Sequence, residues 1–111
     1  MEYFISIRLF IHYGLHFGFP FLLAYFFYKK IWLKTALILL STMLIDLDHL
    51  LVTPIFDSNR CSVGFHLLHQ YWAVTIYFLM LFFSKTRVIA IGLLFHIITD
   101  FIDCWMMSIS L

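Results

Sequence analysis

Apolar residues run along this chain in four long stretches, separated by short polar breaks. The first stretch covers about 4–28 and stops at Lys29-Lys30. The second covers about 31–52 and stops before Thr53-Pro54. A polar loop at 53–64 follows, with Asp57-Ser58-Asn59-Arg60-Cys61 at its centre. The third stretch covers about 65–83, Ser84-Lys85-Thr86-Arg87 makes the next turn, and the fourth stretch covers about 88–107. At about 20 residues per crossing, each stretch is long enough for a transmembrane helix. Connections this short make successive helices antiparallel neighbours. The expected architecture is therefore all-α: a polytopic membrane protein, a four-transmembrane-helix antiparallel bundle forming one domain over 1–111. Strands are disfavoured, because lipid admits only helices or closed barrels and this chain is too short and too evenly apolar for a barrel. Gly14 and Gly18 give the first helix a small-residue pair where a second helix, or a second copy in a homo-oligomer, is able to approach. Pro20 is expected to kink the same helix.

Composition strengthens the membrane reading. The chain is 64% hydrophobic and 12% charged, whereas soluble domains are nearer half apolar and a quarter charged. A soluble core of 111 residues has too little interior to hide so many Phe, Leu and Ile side chains. Net charge is +1 and the seven Lys and Arg form no basic block, so no nucleic-acid partner is expected. Glu2 and the length of the first apolar run speak against a cleaved signal. Lys29, Lys30, Lys34, Lys85 and Arg87 all fall on the side where the first and third helices end. Basic loops stay inside, so that side is expected to be cytoplasmic, with both termini and the 53–64 loop periplasmic.

The polar residues inside the apolar stretches carry the chemistry. All six histidines (His12, His16, His49, His66, His69 and His96) lie within or at the edge of an apolar segment. Asp46, Asp48, Asp100 and Asp103 do too. An ionisable group at mid-bilayer costs at least about 2.5 kcal/mol, so such residues mark function by default. His12 and His16 are four apart, as are His96 and Asp100; Asp46 and His49 are three apart, as are His66 and His69. Residues three or four apart share a helix face, so each helix offers a polar pair to one interior. In an antiparallel bundle all four pairs also fall at one level, the outer half of the membrane. Imidazole with carboxylate suits zinc, iron or manganese. The expected ligands are His12, His16, Asp46, His49, His66, His69, His96 and Asp100, holding one or two divalent ions, zinc foremost, with Asp46 or Asp48 as a bridge. Asp48 and Asp103 are expected either to orient a ligating histidine or to act as general base. Arg8 and Arg60 share the outer side and are expected to clamp an anionic substrate, or else to sit at the interface as ordinary snorkelling arginines. Cys61 and Cys104 fall on that side as well, where an oxidising compartment permits a disulfide; two unrelated thiols are the other reading.

The order Asp46-Leu47-Asp48-His49, then His66 and His69, then His96-Ile97-Ile98-Thr99-Asp100 with Gly92 four residues earlier, resembles the bacterial inner-membrane family of metal-dependent hydrolases, in particular its short membrane-protein branch. The first-helix histidine of that family is matched by His12 or His16. Two departures stand out: Ile45 occupies the place of a proline, and Phe65-His66-Leu67-Leu68-His69 replaces a motif with Arg and Thr before its histidine. The resemblance implies a bound metal and an inner-membrane location.

Three functions fit these residues. The first is a membrane-embedded metallohydrolase acting on a lipid or another amphipathic ester or phosphoester, reached laterally from the bilayer. The alternative is a membrane protein that binds or transports a divalent metal or protons, without hydrolase activity. Transport needs a polar route to both sides, yet the inner halves of the helices, such as 21–27 and 76–83, are almost wholly apolar. A haem carrier is the third, and the aspartates disfavour it because haem iron takes no carboxylate ligand.

Overall fold

A computed structural model describes residues 2–53, 61 and 63–109, with the side chains of 2–6 left aside. The chain is all-α, and the described residues contain no strand. Helix α1 (Glu2–Phe17) runs into α2 (Phe19–Phe27) through a break at Gly18. Pro20 causes the break: it has no N–H for the His16 carbonyl, and its ring crowds that carbonyl. The chain tightens locally to compensate, with the Phe21 N–H donating to Gly18 O at 3.2 Å. After a 3-10 turn at Lys29–Ile31, α3 (Trp32–Ser41) continues into a ten-residue 3-10 helix, Thr42–Leu51. Helix α4 (Tyr71–Met80) is short, and α5 (Arg87–Ser108) is the longest element.

Helix α5 is the hub, packing against α1, α3, α4 and the Thr42–Leu51 segment. Ala24, Ala36 and Leu39 gather the basic ends of α2, α3 and α5 into one apolar cluster with Leu23, Val88 and Ile91. A second cluster joins Ala73 and Tyr77 of α4 to Leu93 and Ile97 of α5. Gly92 lets α5 closely approach the junction of α3 and the Thr42–Leu51 segment, since a Cβ there would lie 2.7 Å from Thr42 Cγ2 and 3.2 Å from Leu39 Cδ2.

The usual distribution of polarity is inverted. The largest fully buried side chains are His66, His69, His96, Thr35 and Thr99, while Phe10, Phe26, Phe27 and Tyr71 stand more than two-thirds exposed. Two helical stretches are long and apolar enough to cross a membrane, Ile7–Phe27 and Arg87–Ser108.

The middle of the chain departs from four uniform spans. The expected third helix at 65–83 is α-helical only over Tyr71–Met80, too short by itself to cross, with a separate 3-10 turn at Leu67–His69 before it. His66 and Gln70 are extended instead, at φ −75°, ψ 150° and φ −76°, ψ 160°. Polar partners have claimed the backbone that a helix would use. The Leu68 N–H donates to Asp48 Oδ2 at 2.8 Å, the Gly64 N–H to His69 O at 3.0 Å, and the Tyr77 hydroxyl to Leu68 O at 2.9 Å. Gly64, at φ 83°, makes the left-handed turn that starts this fold-back. The second stretch changes winding at Ser41 and Thr42, whose hydroxyls donate to the Ile38 and Leu39 carbonyls at 2.6 and 2.5 Å.

Candidate metal centre

Three-residue periodicity sets the first wall of the site. Along Thr42–Leu51, positions 44, 47 and 50 are exposed leucines, positions 42 and 48 are buried, and 43, 46 and 49 lie between. Residues three apart eclipse in a 3-10 helix, so Asp46 and His49 stack along one edge while Asp48 points into the protein. The fold-back at 66–69 brings His69 opposite, and one turn beyond Gly92 α5 delivers His96, then Asp100.

Four donor atoms meet there. The His69 Nε2 atom lies 2.9 Å from Asp100 Oδ2, 3.3 Å from Asp46 Oδ1 and 3.2 Å from His96 Nε2. His96 Nε2 is 3.1 Å from both Asp46 Oδ1 and Asp100 Oδ2. All four atoms fall within 4.8 Å of one another. Ligands at about 2.0–2.1 Å from a tetrahedral zinc ion are themselves about 3.3 Å apart, so the spacing fits a metal.

The protonation pattern points the same way. His69 donates its Nδ1–H to Asp48 Oδ2 at 2.8 Å, because an ionised carboxylate only accepts. Its Nε2 faces the other three atoms. Asp100 Oδ2 is buried without hydrogen-bond geometry to either imidazole, despite their closeness. A shared proton relieves one of these approaches and not all of them; one cation at the centre relieves them together. These His and Asp groups could hold a metal ion.

Two further groups adjoin the first. Asp100 turns its other oxygen to α1, with Oδ1 3.2 Å from His16 Nε2 and 3.7 Å from His12 Nε2. Asp48 faces the third group: the His49 Nδ1–H donates to its Oδ1 at 3.1 Å, and His66 stacks on His49 with ring centroids 3.8 Å apart. Of the eight expected ligands, four thus converge at one point, His12 and His16 share Asp100 with them, and His49 and His66 lie beyond Asp48. Two carboxylates turn their oxygens to different histidines: Asp48, one of the two expected bridges, to His49 and His69, and Asp100 to His16 and to the His69–His96 pair.

Arg8 and Asp103, expected as substrate clamp and base, face each other, Arg8 Nε to Asp103 Oδ1 being 3.0 Å. Arg60 lies outside the described residues. Cys61 and Cys104 form a disulfide with Cα atoms 5.1 Å apart, fastening Cys61 to the end of α5. Sequence reasoning missed Tyr77, which holds the backbone beside His69; a tyrosine in a lipid-length apolar run gives no local sign of its partner.

The molecule is thus an all-α protein with two membrane-length apolar helices and a buried His/Asp cluster able to hold a metal. Residues 6–107 match the model of a family of unknown function, DUF6122, and the chain belongs to that family. Comparison with curated proteins and with solved structures gave no match.

Proposed function

We propose that this protein is a membrane-embedded, metal-dependent hydrolase of the bacterial inner membrane, acting on a lipid or another amphipathic ester or phosphoester. The carrying observation is the convergence of Asp46, His69, His96 and Asp100 inside a molecule whose exterior is apolar. A divalent ion there, zinc foremost with iron or manganese as close relatives in ligand preference, supplies Lewis-acid polarisation of an acyl or phosphoryl oxygen and an acidified water. Asp48 has His69, His49 and the Leu68 N–H on its two oxygens, so it positions His69 rather than taking a proton. Asp103, one turn beyond Asp100 and held by Arg8, is left as the proton acceptor.

Access supports a lipid substrate. Asp46 keeps a third of its side chain accessible. It opens on a groove lined by Leu40, Leu44, Leu47 and Leu50, where an acyl chain would lie while its ester reaches the ion. Towards the basic end, the cavity next to His16 and His96 is walled by Phe19, Leu23, Leu39 and Phe95, which disfavours transport of a hydrated ion.

The membrane arrangement belongs to the same proposal. The 20 residues of Trp32–Leu51 cover about 35 Å, because a 3-10 turn rises faster than an α turn. They cross beside the two membrane-length helices. Helix α4 reaches about 15 Å, and the fold-back at 63–70 fills the remaining depth. Non-helical backbone is tolerated at that depth only where protein buries it, as Asp48 and Tyr77 do here.

Metal content of protein purified in mild detergent, without a histidine tag, is the deciding measurement. Near-stoichiometric metal lost in Asp46→Ala and His96→Ala, with metal-dependent cleavage of a phospholipid or lipid-linked phosphate, is the expected result. A parent that takes up no zinc, iron or manganese on reconstitution sinks the proposal.

A further inference from the structure

We infer that a second divalent ion binds between His12, His16 and Asp100, sharing the Asp100 carboxylate with the first. This rests on the metal centre proposed above. Only one oxygen of Asp100 is needed to complete the four-donor group, and that oxygen is Oδ2. The other, Oδ1, meets two imidazole nitrogens from α1, His16 Nε2 at 3.2 Å and His12 Nε2 at 3.7 Å. A carboxylate that turns each oxygen to a separate pair of histidines is the arrangement that holds two ions side by side.

The α1 group is built for a ligand rather than for packing. His12 and His16 are one turn apart with ring centroids at 4.4 Å, and both turn Nε2 to Asp100 Oδ1, the three donor atoms lying within 4.8 Å of one another. His16 is buried and its ring lies 4.4 Å from that of His96, which joins the two groups into one continuous site. The Nδ1 atom of His12 is buried without a hydrogen-bond partner among the described residues, so no visible acceptor diverts this ring from the centre. Two imidazoles and one carboxylate form a three-donor set with open positions. Three protein donors would leave this second ion room for water or substrate, as an open site does.

The test is a titration of metal-free protein with Co2+, following absorption, magnetic coupling and stoichiometry. Two equivalents are expected in the parent, the second producing coupling to the first through Asp100. His12→Gln and the double variant His12→Ala/His16→Ala should retain one equivalent with the spectrum of the first ion. One equivalent in parent and variants alike overturns the second ion and leaves the proposed function standing. Binding of no metal at all overturns both. Loss of both ions from a variant that elutes and melts like the parent overturns the assignment of a separate ion to α1. Should the double variant fail to fold, the coupling on the second equivalent in the parent, and its loss in His12→Gln, decide the matter.

Discussion

An imidazole has two nitrogens, and the one that carries the proton is chosen by its neighbour. Asp48 makes that choice for His69 by accepting Nδ1–H at 2.8 Å, and it is fixed in turn by the Leu68 N–H at 2.8 Å. Removing such an orienting carboxylate costs about ten- to a hundred-fold in metal affinity. Asp48→Ala should therefore weaken binding by that factor, in competition with a chromophoric chelator, while Asp46→Ala abolishes it. Equal losses in the two variants would mean that Asp48 ligates the ion directly, and no loss would mean that His69 is oriented by something else. The residue types of the site were legible in the sequence, because ionisable side chains have no place in an apolar run unless something holds them. Their division of labour was not. Asp46 and Asp48 are two positions apart on one short motif, and only the 3-10 winding decides which faces the cluster and which faces His69.

At the scale of elements, the decisive contact is between α5 and the start of the 3-10 segment. An added Cβ at Gly92 would sit 2.7 Å from Thr42 Cγ2 and 2.9 Å from its hydroxyl oxygen, so α5 would have to move away. His96 and Asp100 lie one and two turns along the same face, and the displacement reaches them directly. Gly92→Ala is expected to destabilise the fold by about 1–3 kcal/mol through overpacking. It should also lower metal occupancy without touching a ligand. Adding Thr42→Ala removes both colliding atoms and should restore occupancy, a coupling that a double-mutant cycle measures. Independent effects of the two substitutions would show that this contact does not set the site. Hydropathy gave α5 to within a residue or two at each end, since its burial and length agree with a membrane helix. It read 65–83 as one helix because Phe, Leu and Ile look alike to a hydropathy window whether or not their backbone is helical. The fold-back is imposed by Asp48 and Tyr77, partners distant in sequence, which no local pattern announces.

At the scale of the whole molecule, one end is basic and the other is stapled. The disulfide closes a loop across a separation of 43 residues, and the chain-entropy relation gives a link of that length about 4 kcal/mol. Cys104→Ser should lower thermal stability in detergent by about 2–4 kcal/mol and keep its metal, because neither cysteine touches the cluster; loss of metal would instead make the staple part of the site. Lys29, Lys30, Lys34 and Arg87 gather at the opposite end, where α2, α3 and α5 pack through Ala24, Ala36 and Val88. The longest dimension is 43 Å, more than the hydrocarbon thickness of about 30 Å, so the two ends reach opposite surfaces if the long axis lies along the membrane normal. Under the proposed membrane arrangement, basic ends remain cytoplasmic and a disulfide persists in an oxidising compartment, so two independent rules favour the same orientation. Single cysteines placed at Lys30 and at Ser84, in a Cys61→Ser/Cys104→Ser background, should resist a membrane-impermeant maleimide in intact cells and react after permeabilisation. A cysteine at Ser108, exposed at the end of α5, should react in both. Labelling of Lys30→Cys in intact cells would invert the molecule, put the stapled end in a reducing cytoplasm, and turn the His/Asp cluster towards the inner leaflet, so that the proposed lipid substrate would have to be sought there.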